Sequence, residues 1–144
     1  MRPSLRLAAF AAAALLLATP SRAQDEDPQP VSTRTGVFTT EQADRGLELF
    51  EVRCGECHQP ADFQETFLES WSGQTADALF RDIRNTMPED SPGSLKGSEY
   101  AAVIAFLLRL NGLPEGAEAL PASTRRLKLV LIESPQPDST GGLP

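Results

Sequence analysis

Both cysteines and the only histidine of this chain lie in one short segment, Cys54-Gly55-Glu56-Cys57-His58. Two thiols separated by two residues and followed directly by an imidazole form the C-x-x-C-H signature of haem attachment. The thiols add across the two vinyl groups on one edge of a porphyrin, and the two-residue gap matches their separation. The motif therefore predicts one covalently attached haem c, bonded through Cys54 and Cys57, with His58 as an axial ligand of the iron.

Three other interpretations of the same residues are open. A zinc site normally takes four ligands, whereas two cysteines and one histidine supply three, so a carboxylate would have to complete the set. A thioredoxin-like redox pair would follow a strand in a βαβ unit. A disulfide between Cys54 and Cys57 would close a very short loop, which removes little chain entropy and gives His58 no role. Haem attachment is favoured because it uses all three side chains.

The numbers of histidine and methionine residues limit the choice of the second axial ligand. His58 is the only histidine, so a second histidine from the same chain is excluded. Beyond Met1, the only methionine is Met87, which lies in a polar segment beside Pro88. Methionine is usually a core residue, and a polar loop is an unusual place for one. We therefore predict that Met87 is the other iron ligand; a thioether opposite an imidazole raises the reduction potential of a haem.

Helices must position these side chains, because apolar residues recur at helical spacing in three places. The predicted spans are Thr39 or Thr40 to the motif, about residues 75–84, and Ser98 to Asn111-Gly112. The third is apolar on nearly every side and should be buried. No alternating strand pattern appears before residue 127, so the predicted fold class is all-α.

The N-terminus predicts export. Residues 1–23 combine Arg2 and Arg6, a short apolar run and small residues before a cleavage site, the order found in secretory signal peptides. The apolar run has about a dozen residues, fewer than the roughly 20 needed to span a bilayer. We therefore expect a periplasmic protein. The rest of the chain is divided into a disordered lead-in (24–36), the main domain (37–113), an extension that wraps the domain or a partner (114–133), and a flexible tail (134–144).

The charge of the exported chain limits its partners. All 20 acidic residues follow Ala23, whereas three of the 13 basic residues precede it, so the cleaved form carries a net charge near −10. Nucleic acids and anionic lipids require clustered lysine and arginine, so neither is an expected partner. The charge either steers a partner with a basic patch toward the protein or simply maintains solubility.

Several segments resemble class I c-type cytochromes over about residues 37–113. The segment Gly46-x-x-x-Phe50 is similar to the first helix of that family, where the glycine allows close crossing by the last helix. Residues 103–107, with Phe106 as the packing aromatic, resemble that last helix, and Met87-Pro88 resembles the loop of the distal ligand. The spacing from Trp71 to Gly112 is similar to that of small periplasmic cytochromes paired with quinoprotein dehydrogenases. Residues 59–70, however, lack the Pro-Asn-Leu pattern common after the haem motif.

The resemblance implies a cytochrome c-like fold, with three main helices around one covalently bound haem and a C-terminal extension. It implies a one-electron carrier that is not an enzyme. A periplasmic dehydrogenase or a quinol-oxidising complex would be the donor, and an oxidase or another cytochrome the acceptor. The alternatives are the haem subunit of a larger dehydrogenase, or a haem sensor or peroxidase with a displaceable distal ligand.

Trp71 is expected either to donate its indole N–H to a haem propionate or to pack in the interior. Three cations are expected either to pair with propionates or to remain solvated: Arg81, Arg84 and Lys96.

Overall fold

The computed structural model describes residues 29–64 and 66–136, which form a mainly helical domain. The predicted signal peptide and residues 137–144 of the predicted tail lie outside the described residues. The helices are α1 (Thr40–Arg53), α2 (Phe67–Trp71), α3 (Ala76–Thr86), α4 (Gly97–Leu110) and α5 (Thr124–Leu127), with 3-10 turns at Thr33–Thr35 and Pro60–Phe63. One parallel pair joins β1 (Val31–Ser32) to β2 (Val130–Leu131). The predicted all-α, cytochrome c-like fold is confirmed.

The crossing of α1 and α4 is the centre of the domain. A Cβ atom built on Gly46 would lie 1.9 Å from the carbonyl oxygen of Ala102, so only glycine permits this approach of the two backbones. The rings of Phe50 and Phe106 meet across the same contact, with centroids 5.3 Å apart. Residues 100–108 of α4 are all buried, as its apolar sequence predicts.

Helix ends lie close to the predicted positions because the capping residues are local. The hydroxyl oxygen of Thr39 accepts from the N–H of Gln42, and that of Thr75 accepts from Ala78, so both threonines are N-caps. Helix α4 ends before Gly112, whose φ of 76° is the left-handed conformation that commonly ends a helix.

The predicted disordered lead-in differs from the structure over residues 31–36. Thr33 is fully buried, and its hydroxyl exchanges hydrogen bonds with the backbone C=O and N–H of Glu133 at 3.2 and 3.0 Å. The start of the predicted flexible tail is also anchored, since Ser134 donates its N–H to the hydroxyl of Ser72. Neither the lead-in nor the start of the tail shows its order in the local sequence, because the residues that anchor each of them lie far away in the chain.

The extension wraps its own domain. Leu127, Val130 and Ile132 are buried in the core. Ile132 bonds the turn after α2 from both sides: its N–H donates to Gln74, and its carbonyl accepts from Gly73, each at 2.8 Å. In the part of the chain that the structure describes, no helix has the length and apolarity of a membrane span.

Candidate haem-binding site

The C-x-x-C-H segment continues directly from the last turn of α1. The Cys54 N–H donates to the carbonyl of Phe50 at 2.8 Å, and Gly55 donates to the same oxygen. The Cys57 and His58 amides both donate to the carbonyl of Cys54, at 3.0 and 2.9 Å. These bonds wind the motif into a compact turn, so the position of α1 determines where the two thiols and the imidazole lie.

A single cavity of about 830 Å³ contains every predicted site residue. Cys54, Cys57, His58 and Met87 all line it, although 29 positions separate the last two. Its apolar wall comes from the helices and the 3-10 turn after the motif: Phe50, Phe63, Phe67, Leu79, Val103 and Leu107. Cofactor pockets typically enclose about 300–1,000 Å³ and are mostly apolar with a few placed polar groups. The cavity has this character.

Met87 is held by its backbone at the end of α3. Its N–H donates to the carbonyl of Ile83 at 2.7 Å, and its carbonyl accepts from the hydroxyl of Tyr100 at 2.8 Å. The bond between Met87 and Pro88 is cis. The loop then turns back, with the Ser91 N–H donating to the carbonyl of Pro88. The two backbone bonds of Met87 fix the start of this loop at the edge of the cavity.

Aromatic residues support the imidazole and line the cavity. The ring of Phe63 lies edge-on to His58, with centroids 5.4 Å apart, and also edge-on to Phe50 at 5.7 Å. Phe63 belongs to the stretch that lacks the common family pattern, so an aromatic on the 3-10 turn provides support there. Trp71, at the end of α2, is half-buried and lines the cavity. Its contact with a propionate stays a prediction.

The charged residues of the cavity are mostly acidic. Four exposed carboxylates line it, from Glu56, Asp82, Glu89 and Asp90, against one arginine, Arg53. The candidate cations Arg81, Arg84 and Lys96 are not among its lining residues. Arg81 instead pairs with the buried carboxylate of Asp77, with Nε and Oδ2 3.1 Å apart.

Cys54 and Cys57 differ in their surroundings. Cys54 is half-buried, whereas Cys57 is exposed. Burial raises the pKa of the Cys54 thiol, and the neighbouring Arg53 guanidinium partly opposes this rise by favouring the thiolate. The protein surroundings therefore favour the neutral form of this thiol.

The donor set fits a covalently attached haem better than the alternatives. Two unpaired thiols, an imidazole and a thioether line one apolar cavity, which matches the chemistry of haem attachment and His/Met ligation. Within residues 29–64 and 66–136, no group of three or more His, Cys, Asp or Glu side chains is arranged to hold a metal ion, as a zinc site would require. The motif also follows a helix, whereas a thioredoxin-like pair would follow a strand.

Two residues near the site carry weak sequence signals. Tyr100 lies in the first turn of a mostly apolar helix, so its sequence context predicts a core residue and gives no sign of its bond to Met87. Arg53 directly precedes Cys54, and that adjacency is the only signal that could have placed it at the cavity. Its Nη2 donates to the Ser94 hydroxyl at 3.3 Å, which joins the motif to the loop after Met87.

The helical fold and a C-x-x-C-H motif that opens onto an apolar cavity define a c-type cytochrome. Residues 41–107 match the family model described as "Cytochrome C oxidase, cbb3-type, subunit III". This match supports a c-type cytochrome, a class of protein that carries covalently bound haem c with its iron and transfers electrons. No curated protein and no solved structure matches the chain.

Proposed function

We propose that this protein is a periplasmic one-electron carrier whose haem c is bonded through Cys54 and Cys57 and ligated by His58 and Met87. The observation that carries this proposal is the convergence of these four side chains on one apolar-walled cavity. Haem c supplies a one-electron Fe(III)/Fe(II) couple. With haem bound, the apolar wall would limit contact with water and the Met87 thioether would favour the ferrous state, so these residues would raise the potential.

Ligation of the iron by both His58 and Met87 would support a carrier over an enzyme. When His58 and Met87 both hold the iron, no coordination position is left for oxygen, peroxide or an organic substrate. The polypeptide then acts by orienting the group and setting its potential. A carrier also needs only brief contacts, and weak redox encounters bury less than about 1,200 Å². Exposed Cys57 lies at the cavity, where a partner could approach the thioether edge.

Two measurements on the exported protein test the proposal. Its mass should exceed that of the chain from Gln24 by one haem, and acid–acetone extraction should not remove the pigment. Met87→Ala should abolish the far-red absorption band of methionine-ligated ferric haem and lower the midpoint potential. The control is Thr86→Ala, an exposed neighbour that also lines the cavity and should keep both properties. A colourless exported protein, or a Met87→Ala spectrum identical to wild type, would contradict the assignment.

The proposed partners are redox proteins with a basic surface near their own redox centre. The acidic residues at the cavity support this choice, because opposite charges speed and orient association. We infer a periplasmic dehydrogenase or a quinol-oxidising complex as donor, and an oxidase or another cytochrome as acceptor. Nucleic acid does not fit so acidic a chain.

A second candidate is a haem subunit of a larger complex. The matching family model is described as an oxidase subunit, which favours this candidate. The extension does not favour it, because four of its large apolar residues are buried on its own domain: Leu120, Leu127, Val130 and Ile132. Leu131 is the exposed one. Size-exclusion chromatography of native periplasmic extract distinguishes the two functions. Elution of the haem absorbance at the mass of one chain supports a free carrier, and elution with a large subunit supports the complex.

A further inference from the structure

Tyr100 joins the last helix to the residue proposed as the distal ligand. It lies in the first turn of α4 and is 1% exposed. Its hydroxyl oxygen lies 2.8 Å from the carbonyl oxygen of Met87, to which it donates. The ring is held edge-on by Phe80 of α3, with centroids 6.0 Å apart. The hydroxyl therefore occupies a fixed position between α3 and α4.

The bond to Tyr100 is the second of two that fix the Met87 backbone. The Met87 N–H already completes the last turn of α3 through Ile83. The next residue, Pro88, is buried and has no N–H to donate. Without the Tyr100 hydroxyl, the Met87 carbonyl would lose the one partner that the structure gives it among the described residues. A partly buried carbonyl left unpaired is costly, whereas a carbonyl on a displaced loop regains water.

We propose that Tyr100 is a positioning residue that keeps Met87 directed into the cavity and so stabilises methionine ligation. This inference rests on the proposed function, because it assumes that Met87 binds the iron. The hydroxyl bonds the loop in its ligating position and loses its partner when the loop moves away. Tyr100 thus shifts the equilibrium toward the methionine-ligated form without touching the iron.

The test is a titration of the ferric holoprotein with imidazole, which competes with the thioether for the iron. Tyr100→Phe keeps the ring and its contact with Phe80 but removes the hydroxyl. Its apparent affinity for imidazole should be about tenfold higher than that of wild type, the size of effect expected for one buried hydrogen bond. The titration is monitored by the loss of the far-red band, and thermal unfolding is recorded in parallel.

The matched control is Thr33→Val, which removes another buried hydroxyl that makes two backbone hydrogen bonds and does not line the cavity. It should lower the unfolding temperature yet leave the imidazole affinity within about twofold of wild type. Equal affinities for wild type and Tyr100→Phe would overturn the proposal, and so would an equal rise in both variants, which would indicate general loosening. A wild-type protein without the far-red band would instead overturn methionine ligation itself.

Discussion

At the scale of single residues, Thr39 helps to determine the spatial position of the haem-attachment motif, because it caps the helix that leads into it. Its hydroxyl accepts the N–H of Gln42 at 3.2 Å and so satisfies one of the unpaired amides in the first turn of α1. Helix α1 then runs for 14 residues to Arg53, directly before Cys54. A cap at one end of the helix therefore fixes the position of the thiols at the other end.

Thr39→Ala should lower the free energy of unfolding by about 1 kcal/mol, the usual effect of losing an N-cap hydroxyl. Chemical denaturation of the holoprotein, followed by far-ultraviolet circular dichroism, measures this change. Thr124→Ala is the control, because Thr124 is exposed and the structure shows no hydrogen bond from its hydroxyl. Its effect should stay within about 0.5 kcal/mol. Similar losses in both variants would show that the cap makes no specific contribution.

At the scale of elements, the crossing of α1 and α4 shapes the cavity. Phe50 on one helix and Phe106 on the other meet at the crossing, while Phe50 and Leu107 also line the cavity wall. A change in the separation of these two helices would therefore move the wall of the cavity and the turn that carries the thiols. Gly46 is the residue that sets the separation.

Gly46→Ala should destabilise the domain by about 1–3 kcal/mol or more, because the added Cβ overlaps a backbone oxygen that has no rotamer with which to move away. The holoprotein should also show a shifted haem absorption band. Gly97→Ala is the matched control, since a Cβ there would meet only ordinary contact with Ala122 at 3.4 Å. Alanine favours helix more than glycine does, so this variant should be as stable as wild type. Equal thermal midpoints for the two variants would disprove the steric argument.

The short parallel pair and the extension pack onto the same core as the helices. Ile132 is fully buried, whereas its neighbour Leu131 is 37% exposed, so the two side chains point in opposite directions. Ile132→Ala should cost about 2–5 kcal/mol of unfolding free energy, and Leu131→Ala should cost clearly less. Calorimetry of the two variants tests whether the extension stabilises its own domain. A larger loss at Leu131 would mean that it contacts something other than the core.

The sequence predicts the elements whose signals are local. All three main helices carry a repeated apolar face and a capping residue, and α4 begins at Gly97, one residue from the predicted start. Helix α2 is missed because its five residues are too few to show a period. The pairing of Val31 with Val130 is missed because the two residues of each strand carry no alternating pattern. The cavity follows from the motif, but the bond between Tyr100 and Met87 depends on tertiary packing.

At the scale of the whole molecule, part of the excess of acidic residues is concentrated around the cavity. Asp82, Glu89 and Asp90 are exposed and line it, and none of them forms an ion pair in the part of the chain that the structure describes. Val52, 80% exposed, lies at the same opening. An exposed apolar side chain that lines the same cavity as these carboxylates suits a transient contact that is oriented by charge and stabilised by a small desolvated area.

Electron transfer from the reduced protein to a cationic oxidant, such as tris(phenanthroline)cobalt(III), should therefore slow as salt increases. Transfer to anionic ferricyanide should accelerate over the same range. Electrostatic steering changes association rates by about 10–1,000-fold, so stopped-flow kinetics between low salt and physiological ionic strength should resolve the effect. The two opposite trends separate charge steering from a general effect of salt on the haem potential.

Two triple variants of equal net charge test whether the position of the carboxylates, and not only their number, determines the salt dependence. One neutralises the carboxylates at the cavity: Asp82→Asn, Glu89→Gln and Asp90→Asn. The other neutralises three exposed carboxylates that do not line it: Glu41→Gln, Glu69→Gln and Glu118→Gln. Because exposed charges farther apart than the Debye length of about 8 Å interact weakly at physiological salt, the first variant should lose most of the salt dependence and the second should retain it. Equal losses would show that net charge alone steers the reagents and that the cavity has no oriented docking face.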